Sequence, residues 1–184
     1  MVKVIDDFLM SPRSIKQEII SFGFKDIIYD GITYPRICLL PLYSFNLDQK
    51  LGLVMGFPVK INHMFARIMP IGHKSPHTVH SDEMMGKYSA HVYLSGDPLL
   101  RALCPEYGLS LMEYVGHIRI NDQTLHIEDY KDDRLWNEYE FIPAEFNRLV
   151  VHDSSLFHCA MPTEGFGSTP EDARFVLTCF FDPQ

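Results

Sequence analysis

The amino-acid sequence predicts a mainly β (α+β) protein, a β-sandwich or barrel with a helical flank at its N-terminal end. Three observations carry that expectation. Short segments in which apolar and polar residues alternate recur through most of the chain, the signature of half-buried strands. Clusters of Gly, Pro, Asn and Asp separate them at turn-like intervals. Clear helical spacing is confined to the first third, ahead of a strand-rich remainder.

Taken in order, Val2–Leu9 alternates as a first strand. Ser11-Pro12 supplies an N-cap residue and a proline at the first helical position. Ile15, Ile19 and Ile20 recur at helical spacing, and Phe22-Gly23 stops the helix. Gly31, Pro35, Pro41, Gly52, Gly56 and Pro58 mark residues 30–60 as loops around one short helix near Leu47–Met55. Val59–Met69 alternates again as a strand, and Pro70-Ile71-Gly72 turns the chain into Pro76-His77-Thr78-Val79-His80-Ser81-Asp82. Ser89–Ser95 is the next strand, ended by Gly96-Asp97-Pro98, with Gly108–Tyr114 and His117–Ile120 following as two more. The charged run Glu128–Tyr139 reads as a short surface helix packed through Leu135 and Trp136. Phe146–Val151 is a strand, Asp153-Ser154-Ser155 a turn, and Leu156-Phe157-His158 resumes extended chain. A loop rich in Gly, Pro and Thr spans Pro162–Pro170. Arg174–Phe181 closes the chain as a strand with Arg174, Val176, Thr178 and Phe180 on one face.

A chain of 184 residues is expected to form a single domain, residues 1–184. Thirteen Phe and nine Tyr are enough for an aromatic-rich core. Cys38, Cys104, Cys159 and Cys179 are widely spaced without a CxxC pair, so reduced thiols are expected rather than a disulfide framework or zinc ribbon. The opening residues have no signal-peptide layout, and no apolar run approaches the ~20 residues of a membrane span. A cytoplasmic protein without a membrane partner follows as the expectation. A net charge of −8 with no basic cluster opposes nucleic-acid binding, whose affinity comes largely from Lys/Arg–phosphate contacts.

The chemistry centres on His80-Ser81-Asp82, read with His158 far downstream. On extended chain His80 and Asp82 project to the same side, so an imidazole and a carboxylate can hold adjacent positions on one metal ion. A second histidine from another strand completes a 2-His-1-carboxylate face, which leaves three positions open on Fe(II) and suits oxygenase chemistry. About one His-x-Asp triplet is expected by chance in a chain this rich in both residues, so context has to decide. Three competitors exist: His152 as the distal ligand, the His126/Glu128 pair, and a zinc cluster of His73, His77 and His80.

That context is the order of features. His80-x-Asp82 is followed by a strand with Tyr93-Leu94, a glycine-containing strand at Tyr107-Gly108-Leu109, a strand–turn–His158 unit, and Arg174-Phe-Val-Leu-Thr178 on the closing strand. This order resembles the 2-oxoglutarate/Fe(II)-dependent dioxygenases, particularly their prolyl-hydroxylase-like branch. Ile5-Asp6-Asp7-Phe8-Leu9 ahead of a helix is similar to that family's opening. Ser95 stands where the family often has Asn, one glycine replaces a pair, and the stretch from His158 to Arg174 is longer than usual.

The resemblance implies a double-stranded β-helix (jelly-roll, cupin-like) core with N-terminal flanking helices. It implies iron held by His80, Asp82 and His158, with 2-oxoglutarate as cosubstrate, O2 as oxidant and ascorbate as accessory reductant. Arg174 would anchor the far carboxylate of 2-oxoglutarate through a two-pronged contact, with Tyr93 and Thr178 as supporting hydrogen bonds. The implied reaction decarboxylates 2-oxoglutarate to succinate and hydroxylates a small-molecule or peptidyl substrate. Two other classes stand beside it: a catalytically silent jelly-roll binding module, and a zinc hydrolase built on His73/His77/His80.

Overall fold

The computed structural model describes residues 1–29, 31–73, 79–95, 104–114 and 135–184. Its chain opens with strand β1 (Val2–Ile5) and helix α1 (Pro12–Phe22). Ser11 occupies the N-cap position of α1, and Gly23, at φ 78°, ends the helix where a side chain would be strained. Ile19 is fully buried, with Ile15 and Ile20 partly buried against the same core.

Residues 32–39 depart from the loop expected over residues 30–60. As β3 (Ile32–Leu39) they form a hairpin with β2 (Lys25–Tyr29), with Tyr29 paired to Ile32. Gly31 at φ 74° makes the reversal, so the glycine that marked a loop in the sequence is a hairpin turn residue. Helix α2 (Leu47–Met55) follows as expected. Leu47, Leu51 and Met55, four residues apart, form its buried stripe.

The remaining strands are β4 (Val59–Met69), β5 (Tyr88–Tyr93), β6 (Gly108–Tyr114), β7 (Trp136–Pro143), β8 (Leu149–Asp153), β9 (His158–Met161) and β10 (Arg174–Pro183). A seven-stranded sheet runs β1-β8-β5-β10-β4-β3-β2, and a three-stranded sheet runs β7-β6-β9, all paired antiparallel. Alternation along the strands sorts two cores. Ala90, Val92, Leu149, Val151, Phe175, Leu177 and Ala66 face α1 and α2, while Tyr93, Val150 and Val176 face Tyr107, Leu109 and Ile142 of the small-sheet side.

The expected surface helix over Glu128–Tyr139 is a strand from Trp136 onward, and residues 128–134 lie outside the described residues. Trp136 is buried between Tyr114 and Phe157, and β7 pairs along the whole of β6. Burial of the aromatic and ladder pairing with β6 override the helical preference of the charged residues. The strand expected at His117–Ile120 also lies outside the described residues. No helix among the described residues is long and apolar enough to cross a membrane.

Gly108 is fixed by packing. A Cβ at Gly108 would stand 2.3 Å from the Ile142 carbonyl oxygen and 2.7 Å from the Phe141 ring. Gly108→Ala therefore has to push β6 away from β7, at a cost of about 1–3 kcal/mol. A denaturant titration should show that loss, and an unchanged midpoint would mean that the two strands are not so close.

Candidate metal centre

Residues 79–82 run into contact with β9. His80 and His158 form an antiparallel bridge: His80 N–H donates to His158 O at 3.0 Å and His158 N–H to His80 O at 2.9 Å. Two residues on, Asp82 N–H donates to Ser154 O at 2.8 Å, which fixes the carboxylate-bearing residue over the β8–β9 turn. The backbone thus brings three side chains able to ligate a metal to one spot, with Asp82 and His158 76 residues apart in the chain.

Asp82 Oδ2 lies 3.3 Å from His158 Nε2, and Asp82 Oδ1 lies 3.8 Å from His80 Nε2. Two donors bound side by side to one first-row metal at about 2.1 Å stand about 3.0–3.4 Å apart, so the set needs only small side-chain adjustment to close on an ion. His158 Nδ1 is hydrogen-bonded to Leu156 O at 2.9 Å, which orients the ring with Nε2 facing Asp82. Burial alone would raise the Asp82 carboxyl, but the His158 hydrogen bond and the facing His80, His158 and His91 rings hold it well below the ordinary carboxylate range. The donor set is a deprotonated carboxylate and two imidazoles. The His158 side chain is 4% exposed against 29% for His80 and 15% for Asp82, so access is from the His80/Asp82 side.

A second layer lies beneath. His91 on β5 and His152 on β8 stack with ring centroids 5.3 Å apart, and their Nε2 atoms are 3.2 Å apart. Burial, reinforced by neighbouring histidines, drives His91 well below its ordinary pKa; burial takes His152 down to about 4. Both rings are therefore neutral near pH 7, and the hydrogen bonds fix the tautomers. His152 Nδ1–H donates to Asp153 O at 2.8 Å, so His152 Nε2 accepts from His91 Nε2–H. His91 Nδ1 then accepts the Thr178 hydroxyl at 3.2 Å. Together with His158, these two rings make a second group of close donor atoms.

The sequence reading selected His80, Asp82 and His158, and the fold brings all three together. His152, its rival distal residue, is fully buried one layer down. His73 joins neither donor group among the described residues, while His77, His126 and Glu128 lie outside them. Thr178 hydrogen-bonds to His91. Tyr93, 3% exposed, packs edge-on against Tyr107 with centroids 5.5 Å apart. His91 was missed, although its position two residues before Tyr93 puts both on the inward face of one strand.

Arg174 is buried over the Tyr107 and Phe166 rings, at 5.7 and 5.8 Å from their centroids. Its Nη2 donates to the carbonyls of Pro162 and Glu164, its Nη1 faces only the Met69 sulfur at 3.7 Å, and its Nε has no partner among the described residues. Each two-pronged edge of a guanidinium includes Nη2. With Nη2 held by these carbonyls, the groups left for a ligand are Nε–H and the weakly engaged Nη1, in place of an open two-pronged edge.

A family described as of unknown function, DUF6445, matches residues 117–181. No curated protein matches the chain. Among solved structures, HygX from Streptomyces hygroscopicus, with nickel, 2-oxoglutarate and hygromycin B bound, is 14% identical with a TM-score of 0.54, covering 100% of this chain and 83% of its own. SnoK, a non-heme α-ketoglutarate-dependent carbocyclase from nogalamycin biosynthesis, is 13% identical with a TM-score of 0.60, covering 98% and 78%. An oxidoreductase of the 2OG-Fe(II) oxygenase family from Burkholderia pseudomallei is 11% identical with a TM-score of 0.55, covering 92% and 77%. The chain has the double-stranded β-helix fold of these oxygenases.

Proposed function

We propose that this chain is an Fe(II)- and 2-oxoglutarate-dependent dioxygenase that hydroxylates a small-molecule or peptidyl substrate. The observation that carries the reading is the convergence of His80, Asp82 and His158 at the open edge of this fold, with donor spacings that fit one ion. HygX, similar across the whole of this chain, has been solved with iron and with nickel and 2-oxoglutarate. SnoK is named as a carbocyclase, so the fold serves more than one outcome; hydroxylation is favoured here by the prolyl-hydroxylase-like order of motifs. The acidic balance supports a substrate other than nucleic acid, and free cysteines support a reducing, cytoplasmic setting.

When bound, iron with 2-oxoglutarate supplies the oxidation: 2-oxoglutarate and O2 give succinate and CO2, and one oxygen atom enters the substrate C–H bond. The protein's residues do the rest. Asp82, held ionised, would cancel one charge of the ion, His80 and His158 would be its imidazole ligands, and the Leu156 carbonyl fixes the His158 ring through Nδ1. Arg174 provides a desolvated positive charge for the far carboxylate of 2-oxoglutarate, with Tyr93 beside it. Tyr107 and Phe166 wall that end against water.

The test is succinate formation by protein purified without oxygen, then supplied with Fe(II), ascorbate, 2-oxoglutarate and O2. Succinate should appear only when both iron and 2-oxoglutarate are present, and rise with a true substrate from a panel of acids, amino acids and peptides. Binding of iron and 2-oxoglutarate without succinate across the panel would assign a catalytically silent binding module instead.

A further inference from the structure

Arg67 lies on β4, opposite Val176 of β10 in the strand register, while Arg174 lies opposite Met69. The two arginines are therefore diagonal neighbours on the inward face, the face that carries Val176 against Tyr93 and Tyr107. Arg67 is only partly buried, but its Nε and Nη2 are out of water and have no hydrogen-bond partner among the described residues. These two atoms form the side edge of the guanidinium, the pair of parallel N–H donors that grips a carboxylate or phosphate with two bonds. On Arg174 the Nη2 half of that edge is taken by backbone carbonyls; on Arg67 both halves are open.

Charge makes the vacancy informative. Burial first, then the neighbouring Arg174 cation, lower the pKa of Arg67 to about 10, against an opposing contribution from Tyr34, while burial is also the largest influence on Arg174. A desolvated guanidinium whose forked edge makes no hydrogen bond is costly to keep charged. On the oxygenase reading the charges can be counted. Asp82 and the carboxylate of 2-oxoglutarate nearer the metal neutralise Fe(II), and the far carboxylate neutralises Arg174. Arg67 is left with one positive charge, on the same inward face as Arg174 and nearer the surface than that deeply buried residue.

We infer that Arg67 is the seat for an oxyanion of the substrate, so that the substrate is a small molecule bearing a carboxylate or a phosphate. This rests on the oxygenase reading for the word substrate; the anion seat itself rests on the vacant edge. A single half-buried fork is not a track of surface cations, so the seat is compatible with the exclusion of nucleic acid.

The test uses full-length protein saturated with nickel and 2-oxoglutarate, titrated with acetate, benzoate and inorganic phosphate while thermal unfolding and heats of binding are followed. A saturable rise in Tm is expected, its carboxylate and phosphate arms identifying which oxyanion is preferred. Arg67→Met should abolish the rise, leave 2-oxoglutarate affinity within about twofold, and raise the Tm of the ligand-free protein, because it replaces an unpaired buried charge with apolar volume. Arg67→Lys should keep the fold and weaken the anion about tenfold, since charge survives without the fork. A tenfold or larger loss of 2-oxoglutarate affinity in Arg67→Met, about 1.4 kcal/mol, would give the fork to the cosubstrate and overturn the inference. So would a wild type that responds to none of the anions, or an Arg67→Met protein that melts lower than wild type. If wild type binds neither nickel nor 2-oxoglutarate yet keeps its anion response, the seat stands and the oxygenase reading falls.

Discussion

His158→Ala is expected to abolish iron-dependent succinate formation and to leave the fold intact. The ring is the member common to both groups of donor atoms, 3.3 Å from Asp82 on one side and 4.6 Å between centroids from His152 on the other. Removing it takes away one of two imidazoles and the hydrogen bond that helps keep Asp82 ionised. Its backbone bonds with His80 survive, because both are main-chain to main-chain. The strand pairing that assembles the site should persist, so circular dichroism should be native while metal content falls to background. His80→Ala and Asp82→Ala should behave the same way. His152→Ala is the control: it removes a buried ring whose Nδ1 is spent on Asp153 O, and should cost stability and some metal affinity without abolishing turnover. A pair of results in which His158→Ala is active and His152→Ala is dead would move the distal ligand to β8.

The second large effect is on cosubstrate. Arg174→Ala should weaken 2-oxoglutarate use about 30-fold or more. That corresponds to roughly 2 kcal/mol, at ~1.4 kcal/mol per tenfold, the low end of the cost of removing one partner of a desolvated charge pair. The structure adds a second consequence. Through Nη2 the side chain ties down the carbonyls of Pro162 and Glu164 in the loop between β9 and β10, so truncation also loosens that wall. Arg174→Lys keeps the charge but not the simultaneous reach to both carbonyls and the cosubstrate, and should fall between. Iron affinity measured without 2-oxoglutarate should barely change in either variant. An unchanged KM for 2-oxoglutarate in Arg174→Ala would assign this arginine to loop packing alone and weaken the oxygenase reading substantially.

Particular residues show how far the sequence reaches. Strand β4, helix α2 and strand β6 were legible because their apolar periods are long and uninterrupted, as in Leu47, Leu51 and Met55. The β2–β3 hairpin was not, because Gly31 and Pro35 read equally well as loop markers and only pairing with β4 fixes them in a sheet. Trp136 was assigned to a helix for a similar reason: its charged neighbours set the local preference, while the partner strand that overrides it lies more than twenty residues earlier.

At the site, the sequence by itself determined which residue types were available and in what order: a His-x-Asp on extended chain, a distal histidine after a turn, and an arginine opening the last strand. Alternation put His80 with Asp82, and Arg174 with Thr178, without any structure. What the tertiary structure alone decided is which groups meet and which donors stay vacant. The crossing of residues 79–82 with β9 put His158, not His152, beside Asp82, and stacked His152 under it with His91. The register of β4 against β10 set Arg67 beside Arg174, and the carbonyls of the β9–β10 loop occupied Nη2 of one guanidinium while leaving the edge of the other open. The physical reason is range. Side-chain period is a property of a few consecutive residues, whereas desolvation, ring contact and the filling of a hydrogen-bonding edge depend on atoms brought together from strands far apart in the chain.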